Sequence, residues 1–221
     1  MSYSHELSVD QAEIDPMATI PEPDYDQGMG IVLMVLAIDP KTNQPLVWTQ
    51  IENATKASTN KKAGQISLPS ETRRIGEDQV ATILGAVGEF TKDDEDLDRL
   101  SLIGVTRIPL DSIAYGGKPA DLAVMLYDGP LDSNHSPVDE TETTPHGWMR
   151  PEDIQMQNGA VRELTHISLQ FALEQRTIEE ALEMIDLTGG GMPLKSIIGE
   201  DIHIVDFVHS REQKTRDVVP A

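Results

Sequence analysis

The chain has 221 residues, a formal net charge of -21 and no cysteine. This length suits one sizeable domain with extensions, and the lack of cysteine excludes disulfides and thiolate nucleophiles or metal ligands. The strong negative charge argues against a nucleic-acid-binding surface and against docking on anionic membranes. No apolar run approaches transmembrane length, and the first residues lack the features of a signal peptide, so we expect a cytoplasmic protein.

The first elements are an irregular arm and a β-hairpin. Residues 1–27 are acidic and polar with several prolines, which predicts an irregular N-terminal arm. The unbroken apolar run Met29 to Ile38 predicts a strand that is covered on both faces. A turn over residues 39–45 and a second strand from Leu46 to Glu52 complete a hairpin.

A polar loop over residues 53–62 follows the hairpin and carries Lys56, Lys61 and Lys62. The simplest interpretation is a solvated loop. Together with Arg73 and Arg74, however, these lysines would form a basic cluster beside the next helix. Such a cluster would hold a phosphate by charge-assisted hydrogen bonds, to which arginine contributes two parallel donors.

The stretch from Lys62 to Asp94 organises the rest of the chain. It predicts a short strand, Gln65 to Leu68, which Pro69 stops because proline cannot continue a central ladder. A helix then begins near Glu77 and Asp78, where negative charge suits the positive end of the helix dipole. Apolar residues at helical spacing give that helix a face directed to the core: Val80, Ile83, Leu84, Val87 and Phe90.

This stretch resembles the Nudix family, whose signature is a Gly, five residues, a Glu, seven residues, then Arg-Glu-aliphatic-x-Glu-Glu-x-Gly-aliphatic. The segment Gly64 to Pro69 is similar to the family's GQ-x-S-F-P entry strand. Gly76 and Glu77 match the Gly-Glu pair that closes the loop, and Glu89 matches the first Glu of the Glu-Glu pair. In the family these carboxylates hold a divalent metal ion against a diphosphate while water attacks. We call residues 71–93 the box.

The resemblance implies an α/β fold, a Nudix-like α/β/α sandwich with a mixed sheet and a C-terminal extension of helix and strand. Several box positions depart from the signature, however. Glu71 stands for the first Gly, Gly85-Ala86 for the Arg-Glu pair, and Phe90 for the second Glu. The smaller helix face at Gly85 and Ala86 admits either a bulkier ligand or another segment of the chain. Lys92 and Asp93 stand for the closing Gly-aliphatic pair.

Site residues follow from the resemblance. Glu89 and Glu77 are the remaining catalytic positions, and the substrate-binding candidates are Arg73, Arg74 and Lys62. A Mg²⁺ or Mn²⁺ ion would be held by Glu89 and by Asp93, which lies four residues later and shares its helix face if the helix continues. Because a hard cation needs several oxygen ligands, one helical carboxylate is a poor anchor.

In the second half of the chain, the apolar pattern predicts further strands over residues 101–109 and 122–127 and a strand that bears Trp148. We interpret Trp148 as a residue that packs in the core. Apolar spacing after Gly159 predicts a core helix. A capping-box pattern at Thr177 predicts one more helix as far as Leu187.

The end of the chain predicts a glycine link, a strand and a tail. Three glycines, residues 189–191, indicate a flexible link, and alternating residues over 201–210 predict a late strand. His203 and His209 would lie on one face of that strand, too far apart to share a metal ion. The tail from Arg211 is expected to be loose. The predicted divisions are 1–27, 28–175 and 176–221.

Three functions remain open at this stage. The first is a Nudix-fold protein with an eroded metal site that binds a nucleotide or related diphosphate with weak or no hydrolysis. The second is an active, divergent Nudix hydrolase that cleaves nucleoside diphosphate derivatives with Mg²⁺ or Mn²⁺. The third is a structural or interaction module that forms a homodimer or larger homo-oligomer.

Overall fold

A computed structural model describes residues 30–56, 60–74, 76–108, 120–132, 135–157, 159–174, 178, 180, 181, 183, 191–199 and 202–217. The N-terminal arm predicted over residues 1–27 lies outside the described residues. So do most of the helix predicted over 177–187, two glycines of the predicted link and the last four residues of the tail.

Eight strands within the described residues form one sheet, in the order β3-β2-β1-β6-β5-β8, while β4 also pairs with β1 and β7 with β2. Their bounds are β1 Gly30–Ile38, β2 Pro45–Glu52, β3 Ile66–Ser67, β4 Ser70–Thr72, β5 Leu100–Ile108, β6 Ala120–Tyr127, β7 Thr143–Met149 and β8 Met192–Pro193. β1 and β6 pair in parallel and the other strand pairs are antiparallel, so the sheet is mixed. The predicted hairpin is β1 with β2.

Helices cover both faces of this sheet. Their bounds are α1 Gln79–Phe90, α2 Asp94–Leu97, α3 Pro151–Gln155, α4 Glu163–Glu174, α5 Leu194–Ile198 and α6 Ile204–Asp217. Alternate residues of β1 enter two different hydrophobic clusters, one with α3 and α4 and the other with α1, α5 and α6. The predicted α/β/α sandwich with a mixed sheet is confirmed. In the described part of the chain, none of the helices is long and apolar enough to cross a membrane.

The strand predicted over residues 201–210 is wrong, because residues 204–210 form the first half of α6. The alternation that suggested a strand also places Ile204 and Val208 four residues apart, which is one face of a helix. That face packs on α1, where Ile204 is fully buried. His203 precedes the helix and His209 lies within it, so their predicted placement on one strand face is wrong as well. The tail predicted to be loose from Arg211 is helical as far as Asp217.

Candidate active site in the box

Helix α1 begins and ends where its local sequence requires. Asp78 is the N-cap, and its side chain accepts the Ala81 N–H at 2.7 Å. The helix ends at Phe90, since Thr91 is extended and donates its N–H back to the Val87 carbonyl at 2.9 Å. Asp93 therefore does not continue the helix face of Glu89. It caps α2 instead, where its side chain accepts the Glu95 N–H at 2.9 Å.

Glu89 is a largely buried carboxyl group that is held by neighbouring strands. Its Oε2 accepts the Ser70 N–H at 2.9 Å and the side-chain amide of Gln50 at 2.8 Å. Burial raises the pKa of Glu89 to about 7, although the ammonium of Lys61, 3.9 Å from Oε1, works in the opposite direction. At neutral pH this carboxyl is therefore divided between its neutral and ionised forms.

A buried ionic network lies next to Glu89. Glu52, at the end of β2, is 1% exposed and contacts the Lys61 ammonium at 3.2 Å and the Arg162 guanidinium at 3.4 Å. Arg162 also donates to the Ser70 hydroxyl at 2.7 Å. Burial by itself would lower the pKa of Lys61, yet the nearby carboxylates Glu89 and Glu52 raise it, so this lysine keeps its charge. Glu52 and Arg162 were not predicted as site residues, because the only feature of each in the sequence is a charge beside an apolar run.

Glu71 of β4 and Glu77, which precedes α1, are both held by Arg211 of α6. Its guanidinium donates from Nε and Nη2 to the two carboxylate oxygens of Glu77, from Nη1 to Glu71 at 2.9 Å and from Nη2 to the Thr72 carbonyl at 3.2 Å. Burial works against ionisation of Glu77, but the hydrogen bonds and charge of Arg211 lower its pKa. Arg211 itself is only 6% exposed. Sequence reasoning missed it because it had placed this residue in a loose tail.

Two glycines of α1 make room for α6. A Cβ atom on Gly85 would lie 2.5 Å from Nη1 of Arg211 and 2.8 Å from the Glu71 side chain. A Cβ on Gly88 would lie 2.7 Å from the Val208 side chain. Of the two alternatives for the small face of the box helix, a packed segment of the same chain is therefore correct. The guanidinium of Arg211 lies over the position at which the signature has its own arginine.

Phe90, which stands for the second Glu of the signature, faces away from these charges. Its ring packs 5.5 Å from Trp48, 5.6 Å from Tyr127 and 4.4 Å from His135, and Trp148 stacks on Tyr127 at 5.8 Å. We call these five residues the aromatic cluster. His135 is also held by Asp96, 2.9 Å from its Nδ1. The interpretation of Trp148 as a packing residue agrees with this placement.

A cleft of about 140 Å³ opens beside Glu89. Its charged lining residues are Lys56, Lys61, Arg74, Arg162, Glu71, Glu89, Asp139 and Glu142. The volume is well below the ~300 Å³ at which pockets begin to enclose whole drug-sized ligands. The cleft therefore has room for a phosphate-sized part of a ligand, and the remainder would extend outside.

The three predicted substrate-binding residues are distributed unevenly around the cleft. Arg74 lines it and donates a short hydrogen bond to the Arg211 carbonyl. Arg73 is turned to the loop, where its Nε donates to the Glu77 carbonyl at 3.0 Å. Lys62 is exposed, and its backbone N–H donates to the Gln65 side chain at 3.0 Å. Of the three, Arg74 belongs to the cleft lining.

The residues around the cleft do not fit the divalent metal ion that the family resemblance implies. Mg²⁺ requires near-octahedral oxygen ligands. Glu71 and Glu77 are engaged by Arg211, and Oε2 of Glu89 already accepts two N–H groups. In the described ranges, no three Asp, Glu or His side chains are grouped so that they could hold a metal ion.

Similarity to known proteins was found among solved structures. No family model matches the sequence, and no curated protein is significantly similar to it. Solved structures that are similar are Nudix hydrolases. One is the M. smegmatis Nudix hydrolase RenU, at 14% identity over 69% of this chain and 88% of that one, with a TM-score of 0.47.

Two others are a mutT/nudix family protein from Listeria innocua and the C. elegans Ap4A hydrolase. The first has 14% identity over 72% of this chain and 98% of that one, with a TM-score of 0.46. The second has 13% identity over 68% of this chain and 98% of that one, with a TM-score of 0.43.

Proposed function

We propose that this Nudix-like protein binds a nucleotide or related diphosphate through the cleft beside α1, with weak or no hydrolysis. The observation that carries the proposal is the engagement of three box carboxylates, Glu71, Glu77 and Glu89, by groups of the same chain. Arg211 holds Glu71 and Glu77, whereas Ser70 and Gln50 hold Glu89. The remainder of the lining combines lysine and arginine side chains with Asp139 and Glu142, and its cationic groups offer charge-assisted hydrogen bonds to phosphate.

Basic side chains in the cleft offset the repulsion between an anionic ligand and a protein with a net charge of -21. A free nucleotide is repelled by such a surface unless a basic cluster opposes the repulsion. Lys61 supplies this cluster with a charge that its neighbours stabilise, and the raised pKa of Glu89 removes part of the opposing negative charge at neutral pH. Both effects favour a phosphate at this position.

Weak or absent hydrolysis follows from the residue that occupies position 86. The signature has a Glu here, so attack by water in this protein would need a base from elsewhere. Ala86 is fully buried and carries no proton acceptor on its side chain. The predicted cytoplasmic location, the homodimer and the domain divisions remain predictions.

The proposal is tested by thermal unfolding with ADP, nucleotide sugars and pyrophosphate, each with EDTA, Mg²⁺ or Mn²⁺, while released phosphate and mononucleotide are measured in the same wells. We expect a higher Tm without product, since a ligand of the folded state stabilises it by mass action. Metal-dependent turnover would instead identify a divergent Nudix hydrolase. Neither effect, with a concentration-dependent mass, would favour the homo-oligomeric module.

A matched pair of lysine variants places the binding site. Lys61→Gln removes a cleft charge, whereas Lys41→Gln removes the charge of an exposed lysine in the turn between β1 and β2. We expect the ligand-induced rise in Tm to disappear in Lys61→Gln and to persist in Lys41→Gln. An equal response of the two variants would contradict a site in the cleft.

A further inference from the structure

We infer that Arg211 is a built-in counter-ion of the box, which neutralises Glu71 in the cleft lining and the neighbouring Glu77 so that the anionic ligand binds without a divalent cation. The inference rests on the proposed function and explains how binding is achieved when the metal ligands are engaged elsewhere. Arg211 is a positioning residue here: it acts on the ligand through the carboxylates that it holds.

The charges around Arg211 balance locally. Its guanidinium contacts both Glu71 and Glu77, and the side chain of Arg74 donates to its backbone carbonyl. Two guanidinium groups thus accompany two carboxylates at this side of the cleft. A planar guanidinium forms two parallel bonds to a carboxylate, which a lysine ammonium does not reproduce.

The chain is shaped to keep Arg211 in place. Gly85 leaves the space that the guanidinium occupies, and Gly88 leaves the space for Val208. At the other end of α6, Asp94 accepts the Ile204 N–H at 2.9 Å and contacts His203 at 2.6 Å. Ile204 is fully buried beneath the helix start. Because the start of α6 is anchored and Arg211 itself is held by Glu71 and Glu77, the guanidinium is already oriented before any ligand arrives.

A divalent ion would compete with Arg211 for the same oxygens. To bind Glu71 and Glu77, the ion would have to displace a guanidinium that is 94% buried and leave it without these partners. Removing one member of a buried ion pair is strongly unfavourable, because the other charge stays desolvated. The box therefore favours its own arginine over a free metal ion.

The first test is calorimetric titration of pyrophosphate and of ADP into wild-type protein, Arg211→Ala and Arg211→Lys, in EDTA and in Mg²⁺. We expect wild-type affinity to be the same in both solutions, and Arg211→Ala to bind at least about tenfold more weakly in EDTA, with Arg211→Lys between them. Arg150→Ala, which removes an exposed arginine at the start of α3, is the control and keeps wild-type affinity. A wild-type protein that binds only with Mg²⁺, or an Arg211→Ala variant with unchanged affinity, would overturn the inference.

The second test does not depend on the anionic ligand. Binding of Mn²⁺ alone, measured by electron paramagnetic resonance, is expected to be at least about tenfold tighter in Arg211→Ala than in the wild type, because Glu71 and Glu77 are released. Unchanged Mn²⁺ affinity would contradict the inference. If neither pyrophosphate nor ADP binds any variant, the proposed function fails, whereas a gain in Mn²⁺ binding would still support the role of Arg211.

A third variant keeps the inference testable if Arg211→Ala does not fold. Gly85→Ala leaves the arginine in the chain but places a Cβ atom 2.5 Å from its Nη1, so the guanidinium must move. We expect weaker pyrophosphate binding in EDTA for this variant as well. Wild-type affinity in folded Gly85→Ala would show that the position of the guanidinium does not matter.

Discussion

Two consecutive residues of α1, Glu89 and Phe90, face two very different environments. Glu89 belongs to an ionic region of carboxylates, lysines and arginines around the cleft, and Phe90 belongs to the aromatic cluster. Rings that pack tightly stabilise the fold through apolar burial and edge contacts. Charges that are buried in pairs contribute less, because desolvation offsets their attraction. The side of α1 that bears Phe90 therefore stabilises the fold, while the side that bears Glu89 faces the cleft and is available for binding.

The largest expected effect comes from giving the aromatic side an ionic residue. Phe90→Glu restores the acid of the signature but places a carboxylate where the native side chain is fully buried. Loss of a buried Phe alone costs about 3–5 kcal/mol, and an unpaired buried charge adds to this. We expect Phe90→Glu to be largely unfolded by circular dichroism and urea titration. Phe90→Leu, which keeps an apolar side chain, is expected to fold. Equal stability of the two variants would refute the placement of Phe90 in the buried aromatic cluster.

A smaller effect, with a defined pH dependence, is expected for Glu89→Gln. The folded protein holds the Glu89 proton up to about pH 7, while the unfolded chain releases it near the usual value of 4.5. The free energy of unfolding therefore falls as pH rises through this window, by on the order of 3 kcal/mol in total. Glu89→Gln removes this fall and should be more stable than the wild type at about pH 8.

The measurement is urea unfolding of wild-type protein and Glu89→Gln at acidic and alkaline ends of this window. Glu152→Gln, an exposed position on α3, is the control for loss of one carboxylate. If Glu89→Gln retains the wild-type decline with pH, the assignment of that decline to Glu89 is incorrect.

The smallest effect is expected at the anchor of α6. The hydrogen bond from His203 to Asp94 raises the pKa of this exposed histidine. Its stabilising contribution is therefore present below the ordinary value of 6.5 and is lost as pH rises through the raised value. His203→Asn should abolish a small decrease in Tm over that range. Scanning calorimetry of wild-type protein and His203→Asn at pH values below and above this range would detect the decrease in Tm. A decrease of the same size in His203→Asn would exclude His203 as its source.

The aromatic side of α1 was predictable from sequence, whereas most of the ionic side was not. The stripe from Val80 to Phe90 is a local pattern with helical spacing, and β1 is a continuous apolar run. Arg211 and Glu77, in contrast, are 134 positions apart, and Arg162 and Glu52 are 110 apart. No local pattern in one sequence indicates such pairs. The alternation at residues 201–210 was equally consistent with a helix, and only the surface of α1 decided between the two.

The glycines of α1 also restrict which sequences this protein can reach by single substitutions. An arginine at position 85 would collide with Arg211, and α6 cannot simply be deleted, because its residue Ile204 is buried in the core. Substitutions at positions that share a contact are not independent, so an arginine at position 85 is harmful until Arg211 has changed too. The packing of α6 on α1 therefore keeps position 85 small as long as the guanidinium of Arg211 occupies the space beside it.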